Sequence, residues 1–258
     1  MIKGIILKDD TRYDYTEDYL ITCGHTFQKG NFPADNLGFI IFPFKQSVDE
    51  SIYDDGFFSS LKEGTPIFSG IRSQYLTKKC EEYKLLYHVM MDDSCVAVRN
   101  AVPTSEGVIL YLIANRINTV AGSKVLVIGY GICGRDLCKR LKALDANVYA
   151  LVRSREKECN TYADGVKPIY ISDFDKLSFD IIVNTVPEQI LTNEMLDKAN
   201  GAILIDIASA PFGFDMNYAK KLNEKSALLP GIPGKYAVKT AGEILGEYIN
   251  HILSRRKQ

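Results

Sequence analysis

Tryptophan is absent from the 258 residues, and histidine occurs only three times, as His25, His88 and His251. None of the three adjoins a recognisable motif, so acid–base chemistry built on histidine is not expected. The six cysteines (Cys23, Cys80, Cys95, Cys133, Cys138, Cys159) contain no C-x-x-C pair. Scattered thiols fit a reducing cytoplasm better than a disulfide framework, and His and Cys never fall at zinc-ligand spacing, so no metal site is expected. Charge of one sign is lacking too. The formal net charge is −1, without the global basic field of a nucleic-acid or membrane-surface protein. No long apolar run exists: the N-terminal Ile2-Lys3-Gly4-Ile5-Ile6-Leu7 is too short for a signal peptide and far too short to span a bilayer. What is present is an ordinary globular composition, 46% hydrophobic and 24% charged, long enough for one large domain or two small ones.

One stretch carries a specific signal. In Lys124-Val125-Leu126-Val127-Ile128-Gly129-Tyr130-Gly131-Ile132-Cys133-Gly134 an apolar run stops at a Gly-x-Gly-x-x-Gly turn. A helical pattern follows, with Leu137, Leu141 and Leu144 on one face and Arg135, Lys139, Arg140 and Lys142 largely elsewhere. Strand, glycine turn and helix form the context that a dinucleotide fingerprint requires. Gly129 permits the tight turn, Gly131 lets backbone approach a pyrophosphate, and Gly134 lets the helix lie close to its strand. Tyr130, Ile132 and Cys133 complete the loop, and the helix start adds unpaired N–H groups and a positive dipole end. A helix N-terminus can lower a thiol pKa, but Cys133 reads as a small packed residue.

Around this turn, residues 123–230 alternate apolar runs with helix-compatible segments. The runs are Lys124–Ile128, Asn147–Val152, Pro168–Ile171, Asp180–Thr185, Ala202–Asp206 and Ala227–Leu229. The pattern predicts an α/β fold, a Rossmann-like doubly wound parallel sheet buried on both faces. Residues 1–102 read as a smaller N-terminal α/β domain with strands at Ile2–Leu7, Gly38–Phe42 and Thr65–Phe68; Asp9–Ala34 and residues 46–63 are ambiguous. Pro103 is expected to open a linking helix within 103–122, reaching about Thr119, with Val108, Leu112 and Ile113 on one side. Residues 231–258 hold an amphipathic tail helix, Tyr236–Leu253, expected to return to the N-terminal domain through Val238, Ile244, Leu245, Tyr248 and Ile252. Arg255, Arg256 and Lys257 are expected to be solvated.

The second strand of such a unit usually ends in an acid that binds a ribose 2′-OH. Here it ends Leu151-Val152-Arg153-Ser154-Arg155. Two guanidinium groups and a hydroxyl suit a 2′-phosphate, so NADP is expected as cofactor, with NAD as the alternative. The same residues also suit the solvated start of a helix.

Five segments go further: Phe68-Ser69-Gly70-Ile71, Asn100-Ala101-Val102-Pro103-Thr104-Ser105-Glu106-Gly107, Asn184-Thr185-Val186-Pro187, Asp206-Ile207-Ala208-Ser209-Ala210-Pro211-Phe212-Gly213, and Leu229-Pro230-Gly231-Ile232-Pro233-Gly234-Lys235-Tyr236-Ala237-Val238-Lys239-Thr240-Ala241-Gly242. In order and approximate spacing they resemble the A subunits of bacterial dipicolinate synthases, from about Phe39 to Leu253. The resemblance implies a cytoplasmic NAD(P)-dependent oxidoreductase of sporulation, in the mother cell. It would work with a flavoprotein-like B subunit, oxidising a dihydrodipicolinate-type dicarboxylate of the lysine pathway to pyridine-2,6-dicarboxylate.

For that chemistry Lys239 is the first candidate for a carboxylate clamp or proton acceptor, with Thr240 beside it. Thr104, Ser105 and Glu106, at the expected start of the linking helix, are candidates for substrate binding and catalysis, or plain capping groups. Ser69, Gly70, Pro233 and Gly234 are candidate substrate contacts, and Arg72 a weaker one. Asn184, Thr185, Val186, Pro187 and Ala208 follow strands and are expected to line the cofactor crevice. Asp206 reads as a backbone-bonded residue rather than a catalytic one. Two readings remain open beside the main one. One is another two-domain NADP-dependent dehydrogenase, shikimate- or amino-acid-dehydrogenase-like. The other is a non-catalytic nucleotide-binding assembly subunit. Homo-oligomerisation is left open.

Overall fold

The apolar runs form two all-parallel sheets in the computed structural model of the chain, which describes residues 1–28, 37–44, 48–115, 118–199 and 201–255. Arg256 and Lys257 lie outside the described residues. The chain divides into two units, Met1–Asn100 with Ala237–Gln258, and Ala101–Tyr236.

The first unit begins with β1 (Lys3–Ile6), α1 (Arg12–Thr22), β2 (Thr26–Phe27), β3 (Phe39–Ile41), α2 (Asp55–Ser59), β4 (Pro66–Ser69), α3 (Gln74–Glu82) and β5 (Leu86–Val89). Its strand order is β2-β1-β3-β4-β5, and every pairing is parallel. Side chains alternate across the sheet with period two. Phe39, Ile41 and Phe68 enter one cluster with Tyr13 and Leu20 of α1. Ile40, Phe42 and Ile67 enter the other with Phe57, Phe58 and Leu76. Sequence patterning does not reveal α1, because its moment is diluted by Tyr, Asp and Thr on both sides. Nor does it reveal β2, which is two residues long, or β5, whose Leu86 is exposed.

The next helix, α4 (Ser94–Asn115), corrects the expected linking helix. It begins nine residues before the expected start (103 − 94), where Asp93 Oδ1 accepts the Cys95 and Val96 N–H groups at 2.9 and 3.0 Å. Pro103 is therefore a helix-interior residue. An interior proline costs a backbone hydrogen bond, and burial of Ala101, Val108 and Leu112 offsets that loss. Residues 116 and 117 lie outside the described set.

The second unit continues with β6 (Lys124–Ile128), α5 (Ile132–Ala143), β7 (Asn147–Leu151), α6 (Arg155–Ala163), β8 (Lys167–Ile169), β9 (Ile181–Asn184), α7 (Asn193–Lys198), β10 (Ile203–Asp206), α8 (Met216–Leu222), β11 (Ala227–Leu228) and α9 (Pro233–Tyr236). The strand order is β11-β10-β9-β6-β7-β8, all parallel. This is the doubly wound order, and it reverses between β6 and β9. Val125 and Val127 pack with Leu137 and Leu141 of α5 and with Val108 and Leu112 of α4. Leu126 and Ile128 face the opposite layer, with Leu196 and Ala219.

The chain ends with α10 (Val238–Arg255), which rejoins the first unit. Its Ile244, Leu245, Ile249 and Leu253 enter the Tyr13–Phe39 cluster. Val238, Tyr248 and Ile252 are only half-buried. Gly242 lets α10 approach α1 closely, and Thr16 Oγ1 donates to its carbonyl at 2.9 Å. Among the described residues no helix is long and apolar enough to cross a membrane.

Candidate dinucleotide site

At the reversal point of the second sheet, β6 ends in the glycine turn and β9 ends beside it. Gly129 has φ +93°, in the left-handed region that favours glycine. A Cβ there would also meet Val186 Cγ2 at 2.5 Å and Thr185 Oγ1 at 2.8 Å. Thr185 Oγ1 donates to the Ile128 carbonyl at 2.8 Å, and the Gly129 N–H donates to the Leu151 carbonyl at 3.1 Å. The turn is thus pinned to both neighbouring strands. Gly134 packs so close to the turn that a Cβ would lie 2.2 Å from the Gly129 carbonyl oxygen. Gly131 differs: a Cβ there would meet nothing within 4 Å among the described residues.

Gly131 is the N-cap of α5, and among the described residues no side chain caps that end. The first helical bond is donated by Arg135 to the Gly131 carbonyl at 2.9 Å. The N–H groups of Ile132, Cys133 and Gly134 come before it, at the positive end of a 12-residue helix. Open space at Gly131 and an uncapped helix start fit a pyrophosphate.

Other expected contacts turn out to be structural. The Tyr130 side chain is buried and donates to Asp164 Oδ2 at 2.7 Å. Arg135 donates to both oxygens of the same carboxylate, at 2.7 and 3.0 Å. Burial and the Asp164 carboxylate push the Tyr130 phenol well up, whereas Arg135 and Tyr130 hold the Asp164 carboxyl below its ordinary value. Only the backbone of Tyr130 belongs to the turn. Cys133 is likewise no activated thiol: burial, then Asp136, push it up.

Asn184 is fully buried. Its Nδ2 donates to the Val186 carbonyl at 2.9 Å and to Asp206 Oδ1 at 3.0 Å, and its Oδ1 accepts from the Val186 N–H at 3.1 Å. Asp206 also accepts from the N–H groups of Ala208, at 2.9 Å, and Gly213, at 2.6 Å. Asn184, Asp206 and Ala208 therefore tie the loops after β9 and β10 together rather than presenting free polar groups to a cofactor. Pro187 is exposed. At the tip of β7, Ser154 caps α6 by accepting the Lys157 N–H at 3.3 Å. Arg155 opens that helix, and Arg153 is exposed and donates to Glu188 Oε2 at 3.0 Å. Sequence reasoning missed Glu188 and Asp164, since neither lies in a motif.

The proposed substrate residues are divided. Thr104, Ser105, Glu106, Pro233 and Gly234 belong to the second unit; Ser69, Gly70, Lys239 and Thr240 belong to the first. Thr104, Ser105 and Glu106 sit inside α4, which removes the helix-start argument for them. Glu106 accepts from Arg140 Nη1 at 3.2 Å, and Ser105 Oγ is buried with no hydrogen-bond partner among the described residues. Pro233 and Gly234 form the first turn of α9. Ser69 is buried, with its hydroxyl 2.7 Å from the Tyr87 hydroxyl and donating to the Ile71 carbonyl at 2.9 Å. A Cβ at Gly70 would lie 2.3 Å from the Phe44 ring. Arg72 pairs with Asp92 at 2.5 Å. Lys239 and Thr240 are exposed in the first turn of α10, with Lys239 Nζ 3.9 Å from Glu243.

Residues 109–212 match the family described as D-isomer specific 2-hydroxyacid dehydrogenase, NAD binding domain. Together with the strand order and the glycine turn, this makes the chain an oxidoreductase of the nicotinamide-dinucleotide class. It is 32% identical to the dipicolinate synthase A subunit of Bacillus subtilis (strain 168), covering 86% of this chain and 80% of that protein. The crystal structure of the Bacillus halodurans dipicolinate synthase A subunit superposes with a TM-score of 0.88 at 25% identity, covering 98% of each chain. That of its Bacillus subtilis counterpart gives 0.87 at 26% identity, covering 98% of this chain and 96% of that one. The chain belongs to the family of dipicolinate synthase A subunits, the one its motifs resemble.

Proposed function

We propose that this chain is the dinucleotide-binding subunit of a dipicolinate synthase. It acts in the cytoplasm of a sporulating mother cell with a flavoprotein-like B subunit. The reaction is oxidation of a dihydrodipicolinate-type intermediate to pyridine-2,6-dicarboxylate, with NADP as cofactor. The observation that carries this reading is the 32% identity to the Bacillus subtilis A subunit over 86% of the chain.

Aromatisation of the ring supplies the driving force, so the protein's task is positioning and not heavy catalysis. The ring loses a hydride from one carbon and a proton from a neighbour. A bound nicotinamide supplies the hydride acceptor. The backbone of Gly131, Ile132, Cys133 and Gly134 holds the pyrophosphate, and Arg153 with Arg155 favours a 2′-phosphate.

Lys239 is assigned to the substrate as carboxylate clamp or, when unprotonated, as proton acceptor; its side chain is exposed and only loosely held by Glu243. Lys239→Ala should lower kcat/KM by about ten- to a hundredfold, the worth of one charge-assisted hydrogen bond. NADP affinity should be unchanged, and steady-state kinetics beside binding calorimetry separate the two effects. Retained activity would remove Lys239 from the site. The whole reading is tested by mixing the chain with a B subunit, the lysine-pathway intermediate and NADP. The ultraviolet absorption of the pyridine product should appear. Its absence, with both proteins folded and NADP bound, would overturn the reaction.

A further inference from the structure

We infer that Glu188 sets the choice between NADP and NAD, acting through Arg153; the inference rests on the dinucleotide reading of the second unit. In a doubly wound sheet the tip of the second strand reads the 2′ position of the adenosine ribose. In the second unit that strand is β7, and its tip carries Arg153 and Arg155 but no acid. A carboxylate stands there nonetheless, supplied by a different loop. Glu188 follows β9, and its Oε2 accepts from Arg153 Nη1 at 3.0 Å.

The placement is built rather than incidental. Asn184 Oδ1 fixes the Val186 N–H at 3.1 Å, and Val186 packs against the glycine turn at Gly129. Pro187 then restricts the backbone immediately before Glu188. On the far side, the Ile190 and Leu191 N–H groups both donate to the Gly213 carbonyl, at 2.8 and 3.0 Å. The loop is anchored at both ends, with Glu188 between the anchors.

The consequence for selectivity is electrostatic. A 2′-phosphate carries close to two negative charges and seeks the same guanidinium that Glu188 now occupies. It must displace the carboxylate and then tolerate it nearby. Both partners are exposed, 79% for Arg153 and 60% for Glu188, so the pair is weakly held and opens readily. A 2′-hydroxyl, by contrast, can donate to the Glu188 carboxylate, which then plays the part of the acid missing from the strand tip. Glu188 therefore favours NAD and Arg153 favours NADP, and their pairing moderates the preference for NADP that the guanidinium groups set.

The test is binding calorimetry of NADP+ and NAD+ against the full chain, Glu188→Gln and Arg153→Gln. Glu188→Gln should bind NADP+ more tightly and NAD+ more weakly, moving the ratio of the two dissociation constants about tenfold toward NADP+. Arg153→Gln should move that ratio the other way. Both side chains are on the surface, so the variants should fold, and a thermal midpoint close to that of the parent checks it. A Glu188→Gln ratio equal to that of the parent, or an equal shift for both dinucleotides, overturns the inference while leaving the dinucleotide reading in place. Failure of the parent chain to bind either dinucleotide overturns both.

Discussion

Gly131→Ala should leave the fold intact and weaken NADP+ binding by about tenfold to a hundredfold, the effect of the roughly 1–3 kcal/mol cost of forcing a methyl into a filled site. The residue has φ −84°, which alanine adopts without strain, and a Cβ would meet no atom of the described residues within 4 Å. The folded protein has no reason to resist the substitution beyond a small loss at the helix N-cap, about 1 kcal/mol or less. A ligand lying against the turn does resist it, because the methyl enters the space the pyrophosphate needs. The neighbouring glycines give the contrast. Alanine at Gly129 would meet Val186 at 2.5 Å, and at Gly134 the Gly129 carbonyl at 2.2 Å, so those variants should lose stability and binding together. Thermal unfolding beside calorimetry distinguishes the cases. Undiminished binding by Gly131→Ala would mean that the dinucleotide does not approach the turn.

Asp206→Ala should destabilise the protein by about 3 kcal/mol or more, since each of three stranded buried donors costs roughly 1–3 kcal/mol. The side chain is fully buried at the end of β10 and accepts from Asn184 Nδ2, the Ala208 N–H and the Gly213 N–H. Removing the carboxylate leaves three donors without their acceptor. Such a loss is a large part of the roughly 5–15 kcal/mol that typically holds a domain together. Urea titration should show a lower midpoint, and dinucleotide affinity should fall with it, because the loops after β9 and β10 lose their common anchor. Asp206→Asn, which keeps the volume and one acceptor oxygen, should fall between. A change below about 1 kcal/mol for Asp206→Ala would show that the network contributes little.

The second unit is legible in the sequence because its signals are local. Short apolar runs, a glycine turn and a helix with Leu137 and Leu141 on one face all lie within short windows. Each strand lies where its apolar run falls, to within a residue or two at either end: β6 matches its run, and β8 starts one residue earlier, at Lys167. The start of α4 is hidden because Pro103 is a strong punctuator, while the true cap, Asp93, is a single residue whose side-chain bonds are visible only in three dimensions. In the first unit, the aromatic clusters around Phe39 and Phe42 depend on residues far apart in the chain, and no periodicity announces α1. The site follows the same rule. The glycine turn is readable, but the roles of Tyr130 and Asn184 are not, because their partners Asp164 and Asp206 come from other elements. Glu188 gives no sign at all, since its meaning comes only from Arg153 across the unit.

The backbone around Gly131 and the start of α5 should grip a nicotinamide dinucleotide. Titration calorimetry of the folded chain with NADP+ and NAD+ measures this. Saturable binding at a single site per chain, with NADP+ the tighter ligand, is the predicted result. No heat with either dinucleotide, from protein whose unfolding is cooperative, would contradict it.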